Sequence, residues 1–228
     1  MTPALEVRDL SVAFGRTEVV RAVSLAVDPG QVVGVVGPNG AGKTAFVDAV
    51  TGFVPSSGGV SVVGHRADHL RPHRRAGLGL GRTFQSLELF EDLTVGENLA
   101  AAAEAHARRR GGRHVVDAVA RAASRAGIGE VLEELPGRLS HGRRKQVALG
   151  RALAGAPTVL LLDEPAAGLD GAERAALALT LRALAADGMA VVLVDHDANL
   201  VFGVCDRVTV LDGGRVVAQG PAATVRAD

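Results

Sequence analysis

Residues 37–44 match a phosphate-loop pattern, G-x-x-x-x-G-K-[S/T], in which each residue type has a separate task on a triphosphate. Gly37, Gly40 and Gly42 allow the backbone to turn tightly and to point consecutive N–H groups at an anion. Lys43 is placed to reach the β- and γ-phosphate oxygens, and the Thr44 hydroxyl is placed to ligate Mg²⁺. The residues predicted to bind a nucleoside triphosphate here are Gly37, Pro38, Asn39, Gly40, Ala41, Gly42, Lys43, Thr44 and Ala45.

A chance match is the alternative interpretation of this loop, because the chain contains 29 glycines. Lysine is rare, however, since only Lys43 and Lys145 are lysines among the 25 basic residues, and one of them stands at the required place. The flanks also agree with a phosphate loop. Gln31–Val36 is a short β-branched run, and Thr44–Val50 can begin a helix whose N-terminus faces the phosphates.

A second group of reactive residues follows an apolar run. Val159–Leu162 reads as a buried strand, and Asp163 and Glu164 come directly after it. At the carboxyl end of a parallel strand these acids would point into the crevice beside the nucleotide. Asp163 is then placed to hold Mg²⁺ through water, and Glu164 is the candidate general base for an attacking water. A single acid at a strand end is commonly only a turn residue, but a pair after four apolar residues is much less often so.

These residues need a sheet to position them, and strand patterns alternate with helix patterns along most of the chain. We expect an α/β fold with a mostly parallel core sheet, an N-terminal antiparallel β subdomain and an inserted α-helical subdomain at about residues 86–155, in one domain spanning 1–228. No element is predicted for the polar residues 64–83. The predicted strands are Leu5–Leu10, Ser11–Phe14, Val19–Val27, Gln31–Val36, Val60–Val63, Thr158–Asp163, Met189–Asp195, Arg207–Leu211 and Arg215–Gln219, and the predicted core helices are Thr44–Val50, Gly171–Ala186 and His196–Gly203.

Composition excludes several classes of protein. The formal net charge is zero, so no overall electrostatic attraction to nucleic acid is expected. Cys205 is the single cysteine and cannot form an internal disulfide, which fits a reducing compartment. No apolar run approaches the roughly 18–20 residues needed to cross a bilayer, and the first ten residues lack a secretory pattern. These features predict a soluble intracellular chain.

The segment Leu139–Leu153 resembles the LSGGQ signature of ABC ATPases together with the helix that follows it. It lies at the expected place, before the strand that ends at Asp163. Other motifs of that family follow the same order along residues 4–226, and their order and spacing carry the resemblance. The matching positions are Phe14, the phosphate loop, Gln85, the signature residues Ser140, His141, Gly142 and Arg143, Asp163 with Glu164, the D-loop residue Asp170, and His196.

The resemblance implies a P-loop NTPase fold, ATP and Mg²⁺ as ligands, and a role for each matched residue. Phe14 would stack on adenine, and Glu164 and His196 would be catalytic. Thr44, Gln85 and Asp163 would hold Mg²⁺. The signature of one subunit would cap the nucleotide on a second ABC ATPase subunit, in a homo- or heterodimer. Integral membrane permeases, and indirectly a solute-binding protein, would complete the assembly at the cytoplasmic face of the cell membrane.

Within the family, Gly81–Phe90, Leu93–Leu99 and Val194–Asp197 are similar to the branched-chain amino-acid importer ATPases. The expected function is therefore ATP hydrolysis that powers import of branched-chain or other hydrophobic amino acids, amides or urea. Two alternatives stay open: an ABC ATPase of lipopolysaccharide-type export, and a soluble regulatory ABC protein. ABC proteins that act on nucleic acid usually carry two fused ATPase domains or long coiled coils, and neither pattern is present in this sequence.

Three positions depart from the family pattern. Arg143 replaces the signature glutamine, His141 replaces a glycine, and Ala45 follows Thr44 where a second hydroxyl residue is usual. The loss at position 45 removes one side-chain contact to the α-phosphate, worth about 1.5–3 kcal/mol for a hydrogen bond to a charged oxygen. We hypothesise that Arg143 weakens or retunes the nucleotide site of the partner subunit.

Overall fold

Two β-sheets and the helices packed on them make up the described part of the chain. The computed structural model describes residues 2–110 and 114–227. Its strands are β1 (Leu5–Phe14), β2 (Thr17–Val27), β3 (Val32–Val36), β4 (Ser57–Val62), β5 (His65–Arg66), β6 (Leu80–Arg82), β7 (Val159–Asp163), β8 (Ala190–Val194), β9 (Arg207–Asp212) and β10 (Arg215–Pro221). Its α-helices are α1 (Lys43–Thr51), α2 (Pro72–Gly77), α3 (Val95–Arg110), α4 (Val115–Ala126), α5 (His141–Ala154), α6 (Gly171–Ala186), α7 (Ala198–Val204) and α8 (Ala222–Val225).

The six-stranded central sheet has the order β10-β9-β3-β8-β7-β6. Strands β9, β3, β8, β7 and β6 run parallel, and β10 pairs antiparallel with β9. The register places Asp163 opposite Val194. The carboxyl ends of β3, β7 and β8 therefore meet at one edge of the sheet, which is where ligands bind in open α/β sheets.

Strands β3, β7 and β8 in the middle of the sheet are buried on both faces, as parallel strands covered by other layers are. One face of β3, which carries Val33 and Val35, belongs to a core shared with helix α1 and with the second, antiparallel sheet of order β2-β1-β4-β5. The other face, which carries Val32, belongs to a core shared with helices α3 to α7. The sheet is thus held from both sides, which fixes the loops at its carboxyl edge.

Helices α3, α4 and α5 lie between β6 and β7 in the chain and contact one another. Helix α3 begins after a capping box, in which Thr94 N donates to Glu97 and Glu97 N donates to the Thr94 hydroxyl. Asn98 is fully buried and bonds to the backbone of Phe90, Leu93 and Thr94, so it fixes the loop that enters the helix. The sequence predicts that the arginine cluster at 108–110 and 113 forms a solvated bend between two helices. Helix α3 continues through Arg110 instead, and residue 113 and the side chains of the cluster lie outside the described residues.

The fold class predicted from the sequence is confirmed, with a mostly parallel central sheet and an N-terminal antiparallel sheet. The two strands predicted for residues 5–14 form one strand, β1. Asp9 has a left-handed backbone (φ 47°), and shifts in the register between β1 and β2 allow the pairing to continue past it. Residues 64–83 are not featureless, since they form β5, α2 and β6. Arg75 explains the helix, because its buried guanidinium donates to the carbonyls of Ala49, Val50, Asp68 and Leu70. Within the described ranges, no helix is long and apolar enough to cross a membrane.

Candidate nucleotide site

The loop between β3 and α1 has the backbone that its glycines predict. Gly37, Gly40 and Gly42 have φ values of 156°, 81° and 98°, which side chains rarely allow. A Cβ on Gly37 would overlap the Leu211 carbonyl oxygen, and a Cβ on Gly42 would overlap that of Val19. At Gly40 the space is open. Two of the three glycines are therefore required by close backbone packing as well as by backbone conformation.

Lys43 begins helix α1 and lies under the loop. Its side chain is buried, and Nζ donates to the carbonyl oxygens of Gly37 at 2.8 Å and Pro38 at 3.0 Å. An ammonium group has three donors, so one remains for a phosphate oxygen. Helix α1 has no side-chain cap and no acid in its first turn, which leaves its N-terminal N–H groups suited to an anion.

One cleft of about 570 Å³ collects most of the predicted site residues. It contains residues from the phosphate loop, the N-terminal sheet, the segment after β6 and the ends of β7 and β8. Gly37, Pro38 and Ala41 belong to the same loop. Asp163 is buried and lines not this cleft but the neighbouring cavity between α5 and α6. The residues that line the cleft are Phe14, Val19, Asn39, Gly40, Gly42, Lys43, Thr44, Ala45, Gln85, Glu164 and His196.

Glu164 lines the cleft and lies close to two other lining residues, Gln85 and His196. Its backbone is left-handed (φ 49°), which is uncommon for a residue with a side chain and directs it out of the strand. Gln85 Nε2 donates to Glu164 Oε2 at 3.1 Å, and His196 Nδ1 lies 3.9 Å from Glu164 Oε1. Two residues that are remote in sequence, Gln85 and His196, therefore lie beside the Glu164 carboxylate, next to the phosphate loop.

Lys145 of helix α5 fixes the backbone of the same turn. Its Nζ donates to the carbonyl oxygens of Glu164 at 3.1 Å and Pro165 at 3.0 Å. Burial lowers the pKa of Lys145, while the carboxylates of Asp195 and Glu164 act in the opposite direction. The lysine thus joins the helical region to the strand end that carries Glu164.

Asp195 organises the loop that carries His196. Its side chain is fully buried, and its two oxygens accept hydrogen bonds from Ala166 N at 3.1 Å and Asp197 N at 2.9 Å. His196 Nδ1 lies 3.8 Å from Asp195 Oδ1. The histidine is exposed on a backbone that a buried carboxylate holds in place.

Asp163 differs from Glu164 because it is 2% exposed. Burial raises the pKa of Asp163, and the guanidinium of Arg82, 3.2 Å from Oδ2, lowers it. Its second oxygen, Oδ1, is buried without a hydrogen-bond partner among the described residues. Because Mg²⁺ takes carboxylate oxygens and water as ligands, this unpartnered oxygen fits a metal site.

Comparison with known proteins agrees with this geometry. A family profile described as ABC transporter matches residues 20–167. The chain belongs to the ABC transporter family. It is 34% identical, over 98% of its length and 94% of the relative, to the high-affinity branched-chain amino acid transport ATP-binding protein BraF of Pseudomonas aeruginosa. It is also 37% identical, over its whole length and 82% of the relative, to the cobalt import ATP-binding protein CbiO of Rhodobacter capsulatus.

Other matches include longer relatives and solved structures of the same fold. The chain spans only 39% and 38% of two longer Streptomyces ABC transporter ATP-binding proteins. The ADP form of the ATP-binding cassette MJ1267 has a TM-score of 0.90 at 24% identity and covers 100% of this chain and 96% of that one. A dimeric post-hydrolysis form of the cassette MJ0796, bound to ADP and phosphate, has a TM-score of 0.83 at 24% identity and covers 96% and 98%. The predicted family and ATPase activity are confirmed: the chain is the ATP-binding, ATP-hydrolysing subunit of an ABC transporter.

The ABC signature segment, Ser140–Arg143, is not in the nucleotide cleft of its own chain. Ser140 caps helix α5 by accepting from Arg143 N at 3.3 Å. Ser140, Gly142 and Arg143 line a cavity of about 350 Å³ between α5 and α6, which adjoins the nucleotide cleft because Glu164 lines both. The Arg143 guanidinium donates to the Gly127 carbonyl at 2.8 Å and pairs with Glu130 at 2.6 Å. Arg143 is therefore engaged by its own chain.

The signature segment touches the D-loop. A Cβ on Gly168 would lie 3.3 Å from the His141 ring, and a Cβ on Gly142 would overlap the Glu173 carboxylate. Glu173 also completes the capping box of helix α6: it accepts from Asp170 N at 3.0 Å while Asp170 accepts from Glu173 N at 2.8 Å. Asp170 is thus a helix cap whose partner side chain lies against the signature glycine.

Sequence reasoning missed three residues that shape the site, namely Arg82, Lys145 and Asp195. Arg82 and Lys145 lie inside the quoted motifs, but their partners are 81 and 19 residues away in sequence. Asp195 directly follows strand β8 and precedes His196, much as Asp163 ends β7 before Glu164, so an acid at the end of an apolar strand was an available signal. The contacts of Arg82 and Lys145 could be identified only from the structure.

Proposed function

We propose that the chain hydrolyses Mg²⁺-bound ATP in the nucleotide cleft and thereby powers import of branched-chain or other hydrophobic amino acids, amides or urea. The observation that carries the catalytic part is the convergence of Gln85, Glu164 and His196 beside the phosphate loop. The proposed solute is supported by the match to BraF over nearly the full length of both chains.

In this proposal each side of the cleft binds one part of the nucleotide. Phe14, which is 54% exposed, offers its ring to adenine. The loop N–H groups and Lys43 bind the phosphates. The Thr44 hydroxyl, Gln85 and the unpartnered oxygen of Asp163 would hold Mg²⁺, which when bound neutralises charge that develops on the phosphates.

Glu164 would accept the proton of the attacking water, since its carboxylate faces the cleft and its backbone is held by Lys145. His196 would bind the γ-phosphate from the opposite side, on the loop fixed by Asp195. Gln85 bonds to Glu164 and begins the segment that leads to helix α3, so it would report the state of the cleft to a bound partner.

A second ABC ATPase subunit would complete the site. The signature segment of this chain lies away from its own cleft. Ser140–Arg143 would therefore cap the nucleotide of a partner, and the signature segment of the partner would cap the nucleotide of this chain. The dimeric cassette MJ0796 supports such an arrangement. We further propose that residues 1–228 act as one domain, with the helical subdomain at about 86–155 inserted in the core.

Permease subunits would carry the solute, with a solute-binding protein acting through them, and the chain would associate peripherally with the cytoplasmic face of the membrane. No nucleic-acid partner is proposed, because the net charge is zero. Cobalt import is a second candidate function, supported by the 37% identity to CbiO.

The catalytic part is tested by Glu164→Gln, with Glu133→Gln as the control because Glu133 is an exposed glutamate in the helical region. We expect Glu164→Gln to retain ATP binding and to lose about 10²–10⁴-fold in turnover, since a general base is removed. The control should keep the turnover of the unmodified chain. Equal turnover of the two variants would overturn the assignment of Glu164.

The solute is tested by uptake in cells in which this chain is deleted and then restored. Accumulation of radiolabelled leucine, acetamide, urea and ⁵⁷Co²⁺ is measured in each strain, and restoration with Glu164→Gln serves as the inactive control. Uptake of leucine, acetamide or urea that depends on the active chain supports the proposal. Dependence of ⁵⁷Co²⁺ uptake alone would replace it with cobalt import.

A further inference from the structure

Arg82 joins three segments of the nucleotide site. It is the last residue of β6, and its side chain is 8% exposed. Its guanidinium pairs with Asp48 of helix α1 at 2.5 Å and with Asp163 of β7 at 3.2 Å. The same guanidinium donates to the Thr51 hydroxyl at 3.1 Å. One buried cation therefore connects the phosphate-loop helix to the strand that carries Asp163.

Two aromatic rings enclose the same cation. The guanidinium carbon lies 4.7 Å from the ring centre of Phe84 and 5.7 Å from that of Phe53, and the two rings meet edge to face. Cation–π contacts are stronger when the cation is desolvated, as it is here. Because Phe84 directly precedes Gln85, the arginine also fixes the start of the segment that reaches Glu164.

The contact decides which oxygen of Asp163 is left for another ligand. Oδ2 is bonded to Arg82, whereas Oδ1 is buried and unpartnered among the described residues. A buried carboxylate of this kind needs a cation on one side, because removing one member of a buried pair leaves an uncompensated charge. Outer partners of this type orient metal ligands in many proteins.

We propose that Arg82 is a positioning residue for the metal: it holds Asp163 through Oδ2, which leaves Oδ1 available to Mg²⁺, and it couples this carboxylate to helix α1 and to Phe84. The inference rests on the proposed role of Asp163 towards Mg²⁺. It implies that the phosphate loop, Asp163 and the Gln85 segment respond together when Mg²⁺·ATP binds.

Arg82→Lys tests the proposal, because lysine keeps the charge but cannot reach two carboxylates in the same fork geometry. Arg75→Lys is the matched control, since Arg75 is also buried and also bonds to helix α1, through the carbonyls of Ala49 and Val50. Two quantities are measured on each full-length variant: the Kd of a fluorescent ATP analogue in EDTA, and the Kd of Mn²⁺ for the nucleotide complex by electron paramagnetic resonance.

We expect Arg82→Lys to leave the Kd in EDTA within about twofold and to weaken Mn²⁺ binding by about 10–100-fold, the usual effect of an outer partner of a metal ligand. Arg75→Lys should change both constants equally or neither. If Arg82→Lys leaves Mn²⁺ binding unchanged, or changes the two constants by the same factor, Arg82 is only structural and the proposal is wrong.

Two further variants keep the test decisive. Asp48→Asn removes the other carboxylate that holds Arg82, so it should weaken Mn²⁺ binding by a smaller factor even if Arg82→Lys does not fold. Unchanged Mn²⁺ binding in Asp48→Asn contradicts the coupling. Asp163→Asn tests the role of Asp163 separately from that of Arg82. If Asp163→Asn leaves Mn²⁺ binding intact, the proposed metal role of Asp163 is wrong. If Asp163→Asn loses Mn²⁺ binding but Arg82→Lys does not, only the proposed role of Arg82 is wrong.

Discussion

The nucleotide cleft and the signature segment of this chain are positioned by different kinds of structure. At the cleft, Lys43 begins helix α1 after the loop that follows β3, and Asp163 and Asp195 lie at the carboxyl ends of β7 and β8. These three residues are 6%, 2% and 0% exposed. The signature segment is held instead by the Ser140 cap of helix α5 and by the Glu173 carboxylate over Gly142. The core sheet therefore fixes one region, and a helix cap with surface side chains fixes the other.

Helix α5 joins the two regions. Its first turn carries the signature segment, and Lys145 one turn later bonds to the backbone of Glu164 and Pro165. A displacement of helix α5 would therefore also move the backbone of Glu164, whose carboxylate we propose as the general base. Because the core sheet holds the region that carries Glu164 while helix caps and side-chain contacts hold the signature segment, the signature segment is the region better suited to respond to a partner.

The largest effect on the free energy of unfolding is expected from a substitution of Gly37, in the phosphate loop of the nucleotide cleft. Gly37→Ala would push a methyl group into the Leu211 carbonyl, so the free energy of unfolding should fall by at least about 1–3 kcal/mol. At Gly40, where the space is open, alanine adds only the cost of a left-handed backbone, about 1–2 kcal/mol. Urea unfolding of both variants measures the difference. Equal losses would show that the Leu211 contact is not what makes Gly37 necessary.

A smaller effect is expected in the signature segment. Gly142→Ala would displace the Glu173 carboxylate and cost the α6 capping box about 0.5–2 kcal/mol, partly offset by the better helix propensity of alanine. The free energy of unfolding of Gly142→Ala, Glu173→Ala and the double variant gives the coupling. In the Glu173→Ala background we expect Gly142→Ala to be neutral or stabilising.

The size of that coupling energy discriminates between two interpretations of the contact between Gly142 and Glu173. A coupling energy of about 0.5 kcal/mol or more shows that the D-loop cap and the signature glycine act as a pair. Additive effects would mean that Glu173 moves aside freely, and the two motifs of the chain would then be independent.

The sequence predicted much of the fold because burial leaves a clear pattern. Strands β3, β7 and β8 are largely apolar runs: Gly37 directly follows β3, Asp163 is the last residue of β7, and Asp195 directly follows β8. The predicted helix Gly171–Ala186 agrees with the structure at both ends. Helix α2 could not be predicted, because it depends on Arg75, whose four carbonyl partners come from other segments.

The site was predicted to a similar depth. Ordered motifs indicated Lys43, Glu164 and His196, which the structure places in one cleft. The contacts of Arg82 with Asp48 and Asp163 span 34 and 81 residues, and no local pattern encodes such pairs. The direction of the Arg143 side chain was equally hidden, since a sequence shows which residue replaces a signature glutamine but not where that residue points.

The smallest effect is therefore expected at Arg143, which the sequence suggested as a determinant of the partner's nucleotide site. Its guanidinium is engaged by Gly127 and Glu130, and this ion pair is exposed, so Arg143→Gln should cost at most about 1 kcal/mol of unfolding free energy. Hydrolysis by the assembled dimer should change by less than about fivefold, the factor that corresponds to 1 kcal/mol.

Glu130→Gln is the matched control, because it breaks the same ion pair without altering the signature segment. Similar small effects in both variants support a role inside the helical region. A large change in hydrolysis with Arg143→Gln but not with Glu130→Gln would show that Arg143 acts on the partner's nucleotide after all.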